Sequence, residues 1–381
     1  MLLPITFLAS AVAATSLAKL GCTTDTRHAG VYTDDIIHMN EDPLLPFDYP
    51  MTDGFNRTTG EEWSFEGVSA DGTSGMAYML SRGTIAGNLL AQRTFIAITW
   101  PNGTRYMESG FADVSTIQMC QNSTIGTWSN ETSGLNWSFE SSNDYSHTVV
   151  RIDSATIKGT ITLDSLAPAV YPNGLVYPDA AGNVRFAPHI YWAETVPVAT
   201  TEVDLIVKGT PYTISGIGGR ERNWNSFAWA NLSLHWNMLR ATAGPYTLMA
   251  WIYTSRVDGQ TYFTSVIMKG KEVVFHTQER ELSTTSSFGS FDLAYGGPVH
   301  LTSDPSGRPL PPSKHTGYVM EMVDPKAGKH WKFEIDYTQT VYLFPSSNTT
   351  RVGGFVGTLR GGLVGGPQYT GRASGNLQDM I

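Results

Sequence analysis

Short apolar runs, rich in β-branched and aromatic side chains, recur at Thr94–Trp100, Thr148–Ile152, Ala155–Leu163, Thr201–Val207, Tyr246–Tyr253, Tyr262–Met268 and Trp331–Tyr337. Several alternate apolar with polar positions, the period of a strand with one buried face, and no window of about a dozen residues sustains a 3.6-residue period. Strands therefore dominate and helices are minor. Between the runs, Asp71-Gly72, Asn102-Gly103 and Asp258-Gly259 supply the positive φ that tight hairpins require. Strand after strand joined by short turns predicts an all-β protein, built as sandwiches or as closed antiparallel barrels.

The chain of 381 residues exceeds what one hydrophobic core usually organises, so two units of about 150 to 200 residues are the expected division. The run Ser215-Gly216-Ile217-Gly218-Gly219, dense in glycine and without alternation, marks the boundary and gives units 21–217 and 218–381 behind a leader, residues 1–20. Asn40–Asn56 carries Pro43, Pro46 and Pro50 and reads as an extended arm; Ser303–Ser313 carries Pro305, Pro309, Pro311 and Pro312 and reads as a loop. Nine glycines between Gly353 and Gly375 mark strands that another backbone or a ligand approaches closely.

Leu2–Ala14 is apolar, uncharged and too short to cross a bilayer at about 1.5 Å per residue, while Ala9, Ala11, Ala13, Ala14 and Ser16 offer small residues for cleavage. This predicts a signal peptide, with a retained anchor as the alternative. Seven Asn-x-Ser/Thr sequons follow, at Asn56, Asn102, Asn122, Asn130, Asn136, Asn231 and Asn348, and predict a glycoprotein of the secretory pathway: ER lumen, vesicle or secreted. No later segment reaches about 18 apolar residues, so stable membrane insertion is not expected. An oxidising lumen favours a disulfide between Cys22 and Cys120, with two unpaired thiols as the alternative.

A net charge of −9 with 15% charged residues, and no clustered Lys or Arg, argues against nucleic-acid binding. The nine histidines form no ligand spacing, so no metal is expected. The chain has no G-x-S-x-G elbow, no Walker loop and no dinucleotide fingerprint in a βαβ context, which excludes the common hydrolase, kinase and dehydrogenase readings. Any catalysis must work through positioning and hydrogen bonds.

Three clusters remain. On a strand through Glu61–Gly67, Glu61, Trp63 and Phe65 share one face and Glu62, Ser64 and Glu66 the other; a carboxylate beside two aromatics is costly to bury unless protonated or paired. A barrel strand with Glu61 at its rim is the plain alternative. The second cluster runs from Phe186 through Tyr191, Trp192, Trp224 and Trp229 to Trp236, interleaved with Arg and Asn, and resembles a cavity wall more than a uniform oily core. The third joins Trp331-Lys332-Phe333 and Tyr342 to the glycine-rich strand bearing Arg360, which either reaches a ligand carbonyl or lies on an exposed rim.

Taken in order, Asn223-Trp224 to Gly244-Pro245-Tyr246, Gly317-Tyr318-x-x-Glu321, Trp331-Lys332-Phe333 and Gly354-Phe355-Val356 resemble the fungal Diels-Alderase family, which closes decalin and cytochalasan rings. In the first half, Glu61–Gly67 resembles that family's W-E-x-W-Y-F-D segment, and Pro188-x-Ile190-Tyr191-Trp192 its paired aromatics. Gly216-Ile217-Gly218 to Trp224 is more distantly similar to the G-x-G-x-x-D-H-N-W element of carotenoid hydratases. There Glu221 and Arg222 replace Asp-His, which counts against hydration chemistry.

The resemblance implies two tandem lipocalin-like antiparallel barrels, no cofactor, and an intramolecular [4+2] cycloaddition of a polyene from a polyketide synthase-peptide synthetase hybrid, toward the cytochalasan rather than the decalin branch. It implies catalytic roles for Glu61, Tyr342 and Arg360, and substrate contacts for Tyr191, Trp192, Trp224, Trp229 and Trp236. Gly60 and Ser64 stand where the family has Trp and Tyr, which implies a reshaped pocket, inside the first barrel or at the junction. A secreted carrier of a hydrophobic metabolite would need a similar aromatic-lined cavity. A carbohydrate-active sandwich is disfavoured, because Glu61 and Glu62 point to opposite strand faces and cannot form a facing carboxylate pair. Oligomeric state is not legible.

Overall fold

The computed structural model describes residues 21–84, 91–278, 290–295, 317–347 and 350–380; the leader, Ser303–Ser313 and Asn348 lie outside these. In the first half are β1 (Thr23–His28), β2 (Gly60–Ser69), β3 (Gly75–Gly83), β4 (Ala91–Thr99), β5 (Arg105–Ala112), β6 (Val114–Met119) and β7 (Ser123–Asn130). They continue as β8 (Leu135–Ser142), β9 (His147–Asp153), β10 (Ile157–Ser165), β11 (Arg185–Ala187), β12 (Ile190–Val207) and β13 (Thr210–Asn225). After the four-residue helix α1 (Trp229–Leu232) come β14 (Ser233–Ala243), β15 (Tyr246–Ser255), β16 (Thr261–Lys269), β17 (Glu272–Thr277) and β18 (Ser290–Tyr295). The last are β19 (Gly317–Asp324), β20 (Lys329–Ser347), β21 (Thr350–Leu363) and β22 (Gln368–Met380).

The strands form two antiparallel sheets. The first has the order β1-β6-β7-β8-β9-β10-β12-β13-β2-β3-β4-β5, with β11 on β12; the second runs β17-β16-β15-β14-β22-β21-β20-β19-β18. One curls into a nearly closed barrel and the other into a half-barrel, a lipocalin-like pair. In the first, β5 runs directly into β6 through Asp113, whose N–H donates to Ser129 O, so the two ends of the sheet come together. In the second, Phe275 of β17 meets Trp331 of β20 across the interior. The three hairpins expected from Asp-Gly and Asn-Gly pairs close β2–β3, β4–β5 and β15–β16, with φ of 78°, 80° and 71° at Gly72, Gly103 and Gly259.

Period-two alternation sorts every long strand into an inward and an outward set. The inward set of the first barrel, including Trp63, Phe65, Tyr78, Trp128, Trp137 and Phe139, is fully buried and interlocked, with Trp63 and Trp128 centroids 5.2 Å apart and Tyr78 stacked on Trp137 at 5.4 Å. These rings pack together in the lumen of this barrel, and Phe65 and Tyr78 among them also border the cavity between the sheets.

The proline-rich arm is part of that filling. Phe47 packs on Tyr171 and Tyr177 in the core, and inward groups of β2 and β13 hold the backbone around it. Glu61 Oε1 accepts from Met51 N at 2.6 Å and Thr52 N at 2.8 Å, while Glu61 Oε2 lies 3.3 Å from Arg222 Nη2. Arg222 also donates to Phe47 O at 3.1 Å and lies 3.6 Å over the Trp63 ring. Arg220 pairs with Asp48, and Trp224 Nε1 donates to Asn40 O at 3.1 Å. Burying these charges is tolerable because each is paired and hydrogen-bonded. The cost of Glu61 beside two aromatics is thus offset by pairing.

The expected boundary at 217/218 falls inside β13; the chain changes sheet after Asn225, across α1. Glycine density there reflects close approach, not a linker: a Cβ on Gly219 would lie 2.4 Å from Arg240 Nε. The same holds in β21, where a Cβ on Gly354 would lie 2.1 Å from the Tyr342 ring. Cys22 and Cys120 are bonded, beside the Thr23–Met119 pair of β1 and β6.

Because Glu61 neutralises a buried guanidinium and anchors the arm, Glu61→Ala is expected to lower the unfolding free energy by about 3–5 kcal/mol in urea titration. A loss under about 1 kcal/mol would mean that the arm is held without it.

Candidate active site

With Glu61, Trp63 and Phe65 turned into the first barrel, Glu62, Ser64 and Glu66 of β2 face the second sheet. Their neighbours on β13 follow from the register, which sets Glu62 opposite Asn223 and Ser64 opposite Glu221. This polar face forms one wall of a cavity of about 470 Å³ between the barrels, within the usual range for small-molecule sites. Met79, Arg93 and Phe95 of β3 and β4 extend that wall. Opposite stand Trp229 of α1, Trp236 and Met238 of β14, Trp251 of β15, Tyr342 and Phe344 of β20, and Asn376 and Gln378 of β22.

Local irregularities aim these aromatics. Register shifts in β20 at Tyr337/Gln339 and Thr340/Tyr342 turn a strand that buries Trp331, Phe333 and Ile335 in its own barrel, so that Tyr342 faces the seam. There Tyr342 meets Phe95 edge-on at 5.7 Å. Trp229 and Trp236 lie 5.0 Å apart; Trp236 Nε1 donates to Asn376 Oδ1 at 2.7 Å and Trp229 Nε1 to Glu62 Oε2 at 3.4 Å.

Beneath the cavity the barrels are bridged by Arg240 of β14. Its Nε and Nη2 donate to Glu194 Oε1 of β12 at 3.1 and 2.5 Å, and its Nη1 to Glu66 Oε2 of β2 at 3.0 Å. Glu66 also accepts from Ser374 at 2.9 Å and from Asn376 at 3.0 Å. Burial raises the Glu194 carboxyl to about 7 against the pull of Arg240. Burial likewise raises Glu62, opposed by hydrogen bonds from Ser64 and Trp229. Tyr342 is raised by burial and then by the carboxyls of Glu66, Glu62 and Glu221, so its hydroxyl stays protonated. Arg93 is lowered by burial, and its Nε has no partner among the described residues. Gln378 Nε2 and Asn223 Oδ1 are also buried without partners there. These three atoms are sealed from the cavity, so in this geometry they are not contact points for a ligand.

Of the residues singled out in the sequence, Trp229, Trp236 and Tyr342 are brought together here. Glu61 is not: it lies in the first barrel with the arm, and its strand neighbour Glu62 faces the cavity. Tyr191 and Trp224 stack on each other at 5.8 Å in the first barrel's core, where Tyr191 accepts from Arg185 and donates to Glu41. Trp192 stands behind the wall, its Nε1 donating to Glu221 Oε2 at 2.9 Å. Arg360 is 70% exposed and paired with Glu334, on a rim away from the site. Glu62, Glu221, Arg93, Asn223 and Gln378 were missed; alternation alone marked Glu62, and the others depended on register and on the packing of one barrel against the other.

Residues 24–379 match the Diels-Alderase-like family model. Diels-Alderase ffsF of Aspergillus flavipes is 32% identical over 348 residues, which cover 90% of this chain and 82% of that protein. Diels-Alderase cheD of Chaetomium globosum is 31% identical over 343 residues, 88% of this chain and 78% of that one. The crystal structure of CghA with Sch210972 superposes with a TM-score of 0.75 at 21% identity, covering 94% of this chain and 98% of that chain, a likeness of fold. Since the match takes in both barrels and the seam between them, this chain belongs to the Diels-Alderase-like family and is a pericyclase.

Proposed function

We propose that the protein catalyses the intramolecular [4+2] cycloaddition of a linear polyene built by a polyketide synthase-peptide synthetase hybrid, closing an isoindolone fused to a macrocycle as in the cytochalasans. The observation that carries the reading is the cavity between the barrels, walled by Trp229, Trp236, Tyr342 and Phe95 on its apolar sides and by carboxyl and amide groups on β2, β13 and β22. The preference for the cytochalasan branch over decalin formation rests on sequence resemblance.

In such a reaction both new σ bonds form from π electrons already in the substrate, and no atom is gained or lost. What a protein supplies is conformation. Holding diene and dienophile in contact removes internal rotations, a positioning effect with a ceiling of about 7–11 kcal/mol and less for a chain already tethered. The aromatic walls desolvate the polyene, at about 25 cal/mol per Å² of apolar surface buried, and the polar wall holds its carbonyl-bearing end. Tyr342, whose protonated hydroxyl faces the cavity, is one hydrogen-bond donor for that end.

We further propose, on the apolar leader and the sequons, that the reaction takes place in the secretory pathway. Asn102, Asn122, Asn136 and Asn231 are exposed, whereas Asn56 and Asn130 are half-buried with side chains engaged: Asn56 Oδ1 accepts from Thr58 N, and Asn130 Nδ2 donates to Asp113 Oδ1. At those four a glycan projects into solvent, and the bond that Asn102 Oδ1 accepts from Thr104 N does not involve the nitrogen that carries it.

Incubation of the purified protein with a linear triene tethered to an α,β-unsaturated carbonyl is expected to accelerate cyclisation and narrow the stereoisomer ratio; an unchanged rate and ratio would leave a carrier. Trp229→Ala and Trp236→Ala should each cost at least about tenfold in kcat/KM, equivalent to about 1.4 kcal/mol of positioning. Arg360→Ala should leave rate and ratio as in the wild type, and a loss beyond about threefold would return Arg360 to the mechanism. From a eukaryotic secretory host, glycosidase treatment and peptide mapping should find glycans at Asn102, Asn122, Asn136 and Asn231. A chain bearing none would remove the lumenal assignment.

A further inference from the structure

Concerted ring closure transfers no proton, yet the cavity wall holds a carboxyl group that forms no ion pair among the described residues. Glu221, on β13, is 8% exposed and faces the cavity beside Ser64, Asn223 and Glu62. The nearest cation, Arg240, is already committed: its bonds go to Glu194 and Glu66, and none goes to Glu221. Glu194 from β12, Glu66 and Glu62 from β2, and Tyr342 from β20 are the other titratable groups around it. Burial pushes the Glu221 carboxyl well above the usual range and the Glu194 carboxyl pushes it further, with Arg240 opposing.

Hydrogen-bond inventory then locates the proton. Glu221 Oε2 accepts from Trp192 Nε1 at 2.9 Å, and an indole N–H can only donate. In the neutral acid that burial favours, this bond makes Oε2 the carbonyl oxygen and leaves the proton on Oε1. No described donor reaches Oε1, and that oxygen is not among the atoms sealed from the cavity. A neutral carboxylic acid, one oxygen fixed by a tryptophan and the other turned to an aromatic-walled hollow, is a preorganised hydrogen-bond donor.

We propose that Glu221 is a catalytic residue of this cavity, donating its Oε1–H to the carbonyl conjugated with the dienophile of the bound polyene. The assignment rests on the cycloaddition reading above and names the group that activates the substrate. No bond to hydrogen breaks. The donated hydrogen bond draws electron density out of the dienophile and strengthens as charge builds on the carbonyl oxygen, so it stabilises the transition state more than the ground state. Trp192 acts through Glu221 as a positioning residue. Arg240, by engaging Glu194 and Glu66, keeps a cation off Glu221.

The test uses the full chain and the same triene tethered to an α,β-unsaturated carbonyl, after wild-type turnover has been established. Glu221→Gln keeps an amide donor in place of the hydroxyl and an oxygen for Trp192, and should retain kcat within about tenfold; Glu221→Met removes the donor and should lower kcat about 100-fold, the usual effect of deleting one such donor, with KM changed less than about threefold. A wild-type kcat in Glu221→Met, or equal losses in both variants, overturns the role. Should Glu221→Met fail to fold, the infrared difference between wild type and Glu221→Gln at neutral pH decides. The expected signal is loss of a protonated-carboxyl carbonyl stretch that shifts when substrate is added, and loss of carboxylate bands instead overturns the proposal. Absence of any wild-type cyclisation defeats the cycloaddition reading itself, while the infrared band still reports separately whether Glu221 carries its proton.

Discussion

The guanidinium of Arg240 lies between carboxyl groups supplied by the other barrel, and the geometry of the cavity depends on it. Three of its nitrogens are spent on Glu194 and Glu66, which come from strands on either side of β13, so the second sheet is held at one height above the first. The side chain fits because Gly219 on β13 has no Cβ to occupy its place. A buried pair of this kind adds little net stability over a well-packed apolar contact, but losing one partner is expensive, so the arrangement specifies a geometry more than it strengthens the fold. It also sets the charge of the site above it. With that cation committed to Glu194 and Glu66, Glu221 forms no ion pair among the described residues and burial drives it toward the neutral acid; burial raises Glu62 likewise, against the pull of Arg93 and Arg222.

The hollow is at the seam because the barrel interiors are already full. Each sheet curves round its own aromatic and aliphatic side chains, and in the first the arm adds Phe47 to that core. Between them two curved, twisted sheets meet, and curved surfaces touch only along part of their length. Contact is made on one side through Val68, Ala97, Val341 and Val356, and on another through Phe186, Trp192 and Trp251. The gap between those contacts is lined by long, flat side chains that cannot close it. A reaction that asks only for a shaped, dry space and one or two donors is well served by such a gap, and needs no charged machinery.

Much of the fold was legible from local pattern. Alternation placed the strands, Asn-Gly and Asp-Gly pairs placed three hairpins, and glycines in β21 marked close approach, borne out where Gly354 admits the Tyr342 ring. The site was legible only in part. Trp229, Trp236 and Tyr342 carried a signal of their own, as large amphipathic rings near glycine-rich strands. Glu61 drew attention as an acid between aromatics, and the same alternation that flagged it also sent it into the barrel and its neighbour Glu62 to the cavity. Arg360 sat on a suggestive strand, but which face of that strand meets the seam is not written in the strand.

What the chain determined by itself is whatever acts over a few residues: the strand period, the turn dihedrals, and the division of each strand into two faces. Which of two faces becomes the inside of a barrel, and which meets another barrel, was decided by tertiary structure, because both are buried and hydrophobicity does not distinguish them. The same is true of charge. Burial raises both Glu194 and Glu221 against the pull of Arg240, a balance set by strands of different sheets that meet only when the sheets pack.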